Sequence, residues 1–306
     1  MGVPVGRQVR HASRGDSIRG GGRATGGPNV VYGSRSRNRG ALMSRPVRIG
    51  VQLQPQHAPK YGLIRDAVLR AEDAGVDVIF NWDHFFPLSG DPDGAHFECW
   101  TMLAAFAEQT ERVEIGALVT GGGYRNPDLL ADMARTVDHI SDGRLILGIG
   151  AGWFEKDYLE YGYDFGTAGS RLALLKEYLV RLTARLGKLN PQPTREIPIL
   201  IGGGGEKKTL RLVAEYAQIW HTFADLQVLD RKNRILAEHC AQVGADQTKI
   251  ERSVQWPGAD RALKLHEAGV SLFTVGVSGP DYDLAEVREA IRWRDEVNPE
   301  PVNGLA

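Results

Sequence analysis

From Val47 onward the chain alternates two kinds of apolar pattern. Short runs rich in β-branched residues are separated by stretches whose apolar residues recur at helical spacing. The first run, VRIGVQL (47–53), sets Val47, Ile49, Val51 and Leu53 on one face. A helix is expected over 61–74, stopped by Gly75. VDVIF (76–80) and a helix over 98–109 follow, then VEIGALV (113–119) and a helix over 127–140 that opens on Pro127. RLILGIG (144–150) leads to a helix around 170–186, and IPILIGG (197–203) to one over 206–217. QIWHTF (218–223), IERSVQW (250–256) and VSLFTVGV (270–277) are the last strands, with helices expected over 225–243, 258–268 and 284–297.

Strand and helix in strict alternation imply right-handed crossovers and a parallel sheet. Eight such units in about 250 residues match a closed (β/α)8 TIM-type barrel. The competing open, doubly wound sheet usually has fewer strands and a glycine fingerprint after the first, where this chain has QPQHAPK.

The first 45 residues depart from this pattern. They carry nine Arg, no Lys and the single acid Asp16, with few apolar residues. Such a segment cannot offset its ordering entropy and is expected to be a disordered tail, one reading being an upstream extension of a start at Met43. The tail's net charge of +8 against the chain's −1 leaves 46–306 at −9. An acidic body argues against a nucleic-acid partner. No apolar run is long enough to span a membrane as a helix. Cys99 and Cys240 form no CxxC pair, so a disulfide framework is not expected and a reducing cytoplasm fits.

In a barrel of this type the chemistry sits just after the strands, at their carboxyl ends. After the second strand comes Asn81-Trp82-Asp83-His84-Phe85. An Asp-His pair there offers a group that moves protons near neutral pH, the alternative being a capping Asp beside a surface His. After the third come Gly121, Gly122 and Gly123, which allow close approach of backbone to a flat ligand or phosphate. After the fourth, GIGAGW (148–153) is GxGxG rather than GxGxxG. After the fifth, GGGGEKKT (202–209) opens a helix, reads as a phosphate cradle and fails the P-loop pattern at Glu206. His221 ends the sixth strand, where it could face the pocket; a satisfied structural residue is the favoured expectation. No HExxH, Cys/His cluster or GxSxG nucleophile occurs, so no metal is expected.

Taken together, DHF (83–85), LVTGGGYRNP (118–127), DGRLILGIGAGW (142–153), IPILIGGGGEKKTLR (197–211) and FTVGVSGPDYD (273–283) resemble the luciferase-like monooxygenase family, especially its branch using the deazaflavin coenzyme F420. The resemblance implies a barrel, usually dimeric, with the coenzyme ring in its mouth and a small organic molecule as substrate. It implies that His84 is the proton donor and that Asp83 sits beside the ring or orients the imidazole. It implies a non-proline cis peptide at Ala117-Leu118, and coenzyme contacts at Thr120, Ala151 and Gly152. It assigns Gly204, Gly205, Lys207 and Lys208 to a phosphate-binding turn. Two departures stand out. Trp153 occupies the place of a catalytic Glu in the family's sugar-phosphate dehydrogenases. The stretch 186–197 looks short, so part of a substrate lid is expected to be missing. The leading expectation is F420-dependent hydride transfer; the rivals are an FMN-dependent monooxygenase and a coenzyme-binding protein without catalysis.

Overall fold

The computed structural model describes residues 45–298; the expected tail lies almost wholly outside them. The chain runs β1 (Arg48–Leu53), α1 (Tyr61–Asp73), β2 (Val78–Asn81), α2 (Cys99–Gln109), β3 (Glu114–Ala117), β4 (Thr120–Gly121), α3 (Pro127–Ile140) and β5 (Leu145–Gly150). It continues with α4 (Glu155–Glu160), α5 (Ala168–Leu186), β6 (Ile199–Gly202), α6 (Thr209–Tyr216), β7 (Ile219–His221) and α7 (Leu226–Val243). A 3-10 turn, β8 (Glu251–Gln255), α8 (Ala259–Glu267), β9 (Val270–Val277) and α9 (Ala285–Val297) complete it.

All pairings among these strands are parallel. The order β3-β2-β1-β9-β8-β7-β6-β5 closes through a β3–β5 pairing, giving the expected eight-stranded barrel. The expected third strand is divided. Ala117 is still in the ladder opposite Asn81, and β4 rejoins β5 at Thr120. The non-proline cis peptide is Leu118-Val119, one residue beyond Ala117-Leu118; the Leu118 N–H is still tied to β2 through the Asn81 carbonyl at 2.8 Å.

Strand positions alternate between an outer face packed on helices and an inner face lining the barrel. The inner face is layered. At the amino end Arg48 pairs with Glu114 and with Glu251, whose second oxygen accepts from Ser271. Burial works against the Arg48 charge, but the two carboxylates outweigh it and raise its pKa. The middle is apolar: Val78, Phe80, Ile146, Leu200, Ile219 and Leu272 form their own cluster inside the barrel. At the carboxyl end the inner positions are Gln52, Gly150, Gly202, His221, Gln255 and Gly276, a mixture of glycine and polar groups that leaves space.

The stretch 187–198 joins α5 to β6 and therefore lies at the amino end. His139 Nε2 meets the Gln192 carbonyl at 2.7 Å, Thr194 binds Asp138 through its N–H (2.7 Å) and hydroxyl (2.8 Å), and Arg195 pairs with Glu114. Its brevity therefore takes nothing from a lid over the carboxyl end, contrary to the expectation from sequence.

Candidate active site

The open layer at the carboxyl end is a cavity of about 700 Å³. Val119 projects into it from the break between β3 and β4, and glycines make room for it. A side chain at Gly150 would meet Val119 Cγ2 at 2.8 Å, and one at Gly202 would meet Cγ1 at 3.0 Å. Gly152 has φ +75°, and any side chain there would collide with the Tyr158 hydroxyl. The walls combine flat backbone, Leu118, Leu172 and Leu175 with the polar ends of Gln52, Gln54, Thr120 and Gln255. Such an apolar cleft with a few convergent polar groups suits a planar organic ligand.

His84 stands at the mouth, just beyond β2. Its Nδ1 lies 2.6 Å from Asp157 Oδ2. A carboxylate only accepts, so Nδ1 carries the hydrogen and Nε2 keeps its lone pair. Nε2 has no hydrogen-bond partner among the described residues. Asp157 is fully buried and also accepts from the Phe85 N–H (3.0 Å) and the Tyr124 hydroxyl (2.9 Å). Three rings stand edge-on to the imidazole: Trp82 at 5.8 Å, Trp153 at 5.7 Å and Phe154 at 5.6 Å between centroids. The imidazole is thus fixed in tautomer and in plane. Beneath it, the Trp82 indole N–H donates to His96 Nε2 at 3.0 Å. Burial, and then the proximity of His84, push His96 down to about 4, so it stays neutral.

Asp83 does not orient His84. Its two oxygens take a bidentate ion pair from Arg125 at 2.5 and 2.9 Å, and Oδ2 also accepts the Gly121 N–H at 3.2 Å. Arg125 reaches on to Glu98, the N-cap of α2. This cluster ties β2 to the glycine loop after β4. Burial pushes the Asp83 carboxyl up, against the pull of Arg125.

Asp83, His84, Leu118, Thr120, Ala151, Gly152 and Gly205 line the cavity. Thr120 also accepts the Trp100 indole N–H at 3.0 Å. Ala117 is buried behind it, and both Ala117 and Gly204 lie outside the lining. Lys207 and Lys208 are exposed and outside the lining, because the chain makes a further turn before α6 begins at Thr209. His221 both lines the cavity and is satisfied structurally, its Nδ1 meeting Ser253 Oγ at 2.9 Å. Burial pushes its pKa down to about 4. Asp157 was not anticipated from sequence. The available signal was an acidic pair, Glu155 and Asp157, opening a short helix after the fourth strand. Among the described residues no group of three or more His, Cys, Asp and Glu is spaced to hold a metal ion.

A model of the luciferase-like monooxygenase family matches residues 42–258. The chain is similar to an uncharacterized protein of Mycobacterium tuberculosis, 27% identical over 65% of this chain and 78% of the relative. It is also similar to the F420-dependent glucose-6-phosphate dehydrogenase of Amycolatopsis mediterranei, 29% identical over 56% of this chain. That match spans only 54% of the dehydrogenase, about half its length. Among solved structures, an F420-dependent secondary alcohol dehydrogenase in complex with an F420-acetone adduct superposes with a TM-score of 0.70. At 18% identity, over 83% of this chain and 100% of the other, that likeness is one of fold.

Proposed function

The chain belongs to the luciferase-like monooxygenase family, and on that premise we propose that it is an oxidoreductase using coenzyme F420 to exchange a hydride with a small organic substrate. The observation that carries this reading is the cavity at the carboxyl end with the His84–Asp157 pair at its mouth. Bound there, the deazaflavin would supply the hydride chemistry. The residues fit such a group: Val119, Leu118 and the glycine backbone offer a flat apolar wall, and Gln52 and Gln255 line the same space.

The protein's own part is binding, orientation and proton handling. Hydride exchange at a carbon bearing oxygen or nitrogen leaves a proton to be placed. His84 Nε2 faces that task with its lone pair available, and Asp157 stabilises the imidazolium that forms when it accepts. Asp157 is a positioning residue; His84 is the catalytic candidate. Asp83 and Arg125 hold the loop that frames the ring site. Trp153, 63% exposed, and Phe223, 78% exposed, form an aromatic rim, which suits a neutral, largely apolar substrate. Trp153 in place of an acid argues against sugar-phosphate oxidation. Cys99 and Cys240, both buried and unpaired, suit a reducing cytoplasm, and family membership suits a homodimer.

The test is an absorbance titration of the purified protein with F420 and, separately, with FMN. Saturable spectral change with F420 at lower concentration than with FMN supports the reading. Tighter FMN binding moves it to the flavin-dependent monooxygenases, and binding of neither removes it.

A further inference from the structure

The turn between β6 and α6 presents a set of donors that the fold leaves unused. Three of its carbonyls, those of Gly203, Gly205 and Glu206, are taken. Trp220 Nε1 donates to the Gly203 carbonyl at 2.8 Å, Leu210 N to that of Gly205 at 3.0 Å, and His239 Nε2 meets that of Glu206 at 2.8 Å. The backbone N–H groups of Gly204, Gly205 and Glu206 have no acceptor among the described residues. The hydroxyls of two otherwise buried threonines converge on the same turn. Thr222 is 2% exposed and Thr209 4% exposed, and neither hydroxyl has a hydrogen-bond partner among the described residues. A side chain at Gly204 would meet Thr222 Oγ1 at 3.0 Å, and one at Gly205 would meet Thr209 Oγ1 at 2.8 Å.

A single ammonium completes the set. A side chain at Gly204 would collide with Lys232 Nζ, so this lysine of α7 reaches over the turn. Lys232 pairs with no carboxylate among the described residues. The one carboxylate of the turn, Glu206, is held away by Arg231 at 2.7 Å. Converging N–H groups, hydroxyls and one cation, with three of the carbonyls engaged elsewhere, are the features of an anion site.

We propose that Lys232, rather than Lys207 or Lys208, is the cation that holds a single phosphate monoanion on this turn. The inference rests on the coenzyme reading above and sharpens it. A phosphodiester, as in F420, carries one negative charge, which one lysine balances. A phosphomonoester, as in FMN, carries about two at neutral pH and leaves one uncompensated.

The experiment titrates wild type, Lys232→Met, Lys232→Arg and the double variant Lys207→Ala/Lys208→Ala at low ionic strength. The probes are F420 and its phosphate-free deazaflavin chromophore. A lost charge-assisted contact predicts about tenfold or weaker F420 binding for Lys232→Met. Its affinity for the phosphate-free chromophore stays unchanged, Lys232→Arg restores most of the loss, and the double variant behaves as wild type. Unchanged F420 affinity in Lys232→Met, or equal loss for both probes, overturns the proposal. If wild type binds neither probe, the coenzyme reading fails, and the anion site is judged with inorganic phosphate on lysine-labelled protein. A shifted Lys232 resonance with Lys207 and Lys208 unmoved then sustains the site; an unmoved Lys232 resonance refutes it.

Discussion

The two ends of the barrel are made from the same strands and meet opposite fates. At the amino end, charges meet partners: Arg48 with Glu114 and Glu251, Arg195 with Glu114, and Arg144 with five acceptors that include the carbonyls of Ala107, Thr110, Val113 and Ser141. At the carboxyl end, inward positions are glycines or polar groups facing a cavity, and His84, Thr209, Thr222 and Lys232 keep bonding capacity in reserve. Saturated polar groups contribute stability, and unsaturated ones cost it unless a ligand completes them. The apolar middle layer around Phe80 and Leu272 separates the two regimes. An enzyme of this architecture can therefore vary one end for chemistry while the other end keeps the strands in register.

Substitutions at each end should separate turnover from stability. The largest effect is expected for His84→Asn. Losing a positioned acid–base group lowers turnover by about 10²–10⁴-fold, while coenzyme affinity and melting temperature stay near wild type. Steady-state kinetics with a confirmed substrate, alongside the coenzyme titration, checks this. Wild-type turnover would remove His84 from the chemistry.

Acid should loosen the carboxyl end first. His221 falls from the usual 6.5 to about 4 in the fold because it is buried. Between those values the unfolded chain takes up a proton that the folded chain refuses. Stability is therefore full above pH 6.5 and declines as pH falls towards 4, by about 3 kcal/mol from this group. His96 shifts in the same direction, through burial and then the nearby His84. Urea unfolding across this range should show the slope, and His221→Asn should flatten it. An equal slope in the variant would contradict the assignment.

The smallest effect belongs to the amino end. Glu114→Gln weakens the pairing of Arg48 and Arg195 at a half-buried position, at a cost of about 1–2 kcal/mol. Turnover per folded molecule should not change. A fall in turnover without a fall in stability would show that the two ends are coupled.

The sequence patterns locate the long helices to within a residue or two, because α1, α3, α7 and α9 each carry several turns of regular apolar spacing. The strand ends, and with them His84 and Gly152, follow from the same alternation. What stayed hidden depends on tertiary approach. The six-residue α4 is too short to display a period, so Asp157 could not be matched to His84, 73 residues away. Arg125 lies 42 residues from Asp83, and nothing local assigns that partner in preference to His84. Lys232 looks like any solvated helix residue until α7 packs across the glycine turn, whereas Lys207 and Lys208 attract notice by adjacency alone. The break after Ala117 is likewise invisible in VEIGALV, whose β-branched and apolar residues read as one strand.

The contrast between the ends is tested most directly by a crystal structure of the chain grown with F420. A second groove, of about 570 Å³, opens at the amino end beside Arg195, Tyr216 and Gln218, so the protein offers the coenzyme a choice. The account predicts electron density for the deazaflavin in the carboxyl-end cavity, against Val119, with the His84 imidazole at its edge and the phosphate on the Gly203–Glu206 turn. Density in the amino-end groove, or a carboxyl-end cavity still empty at saturating coenzyme, would contradict it.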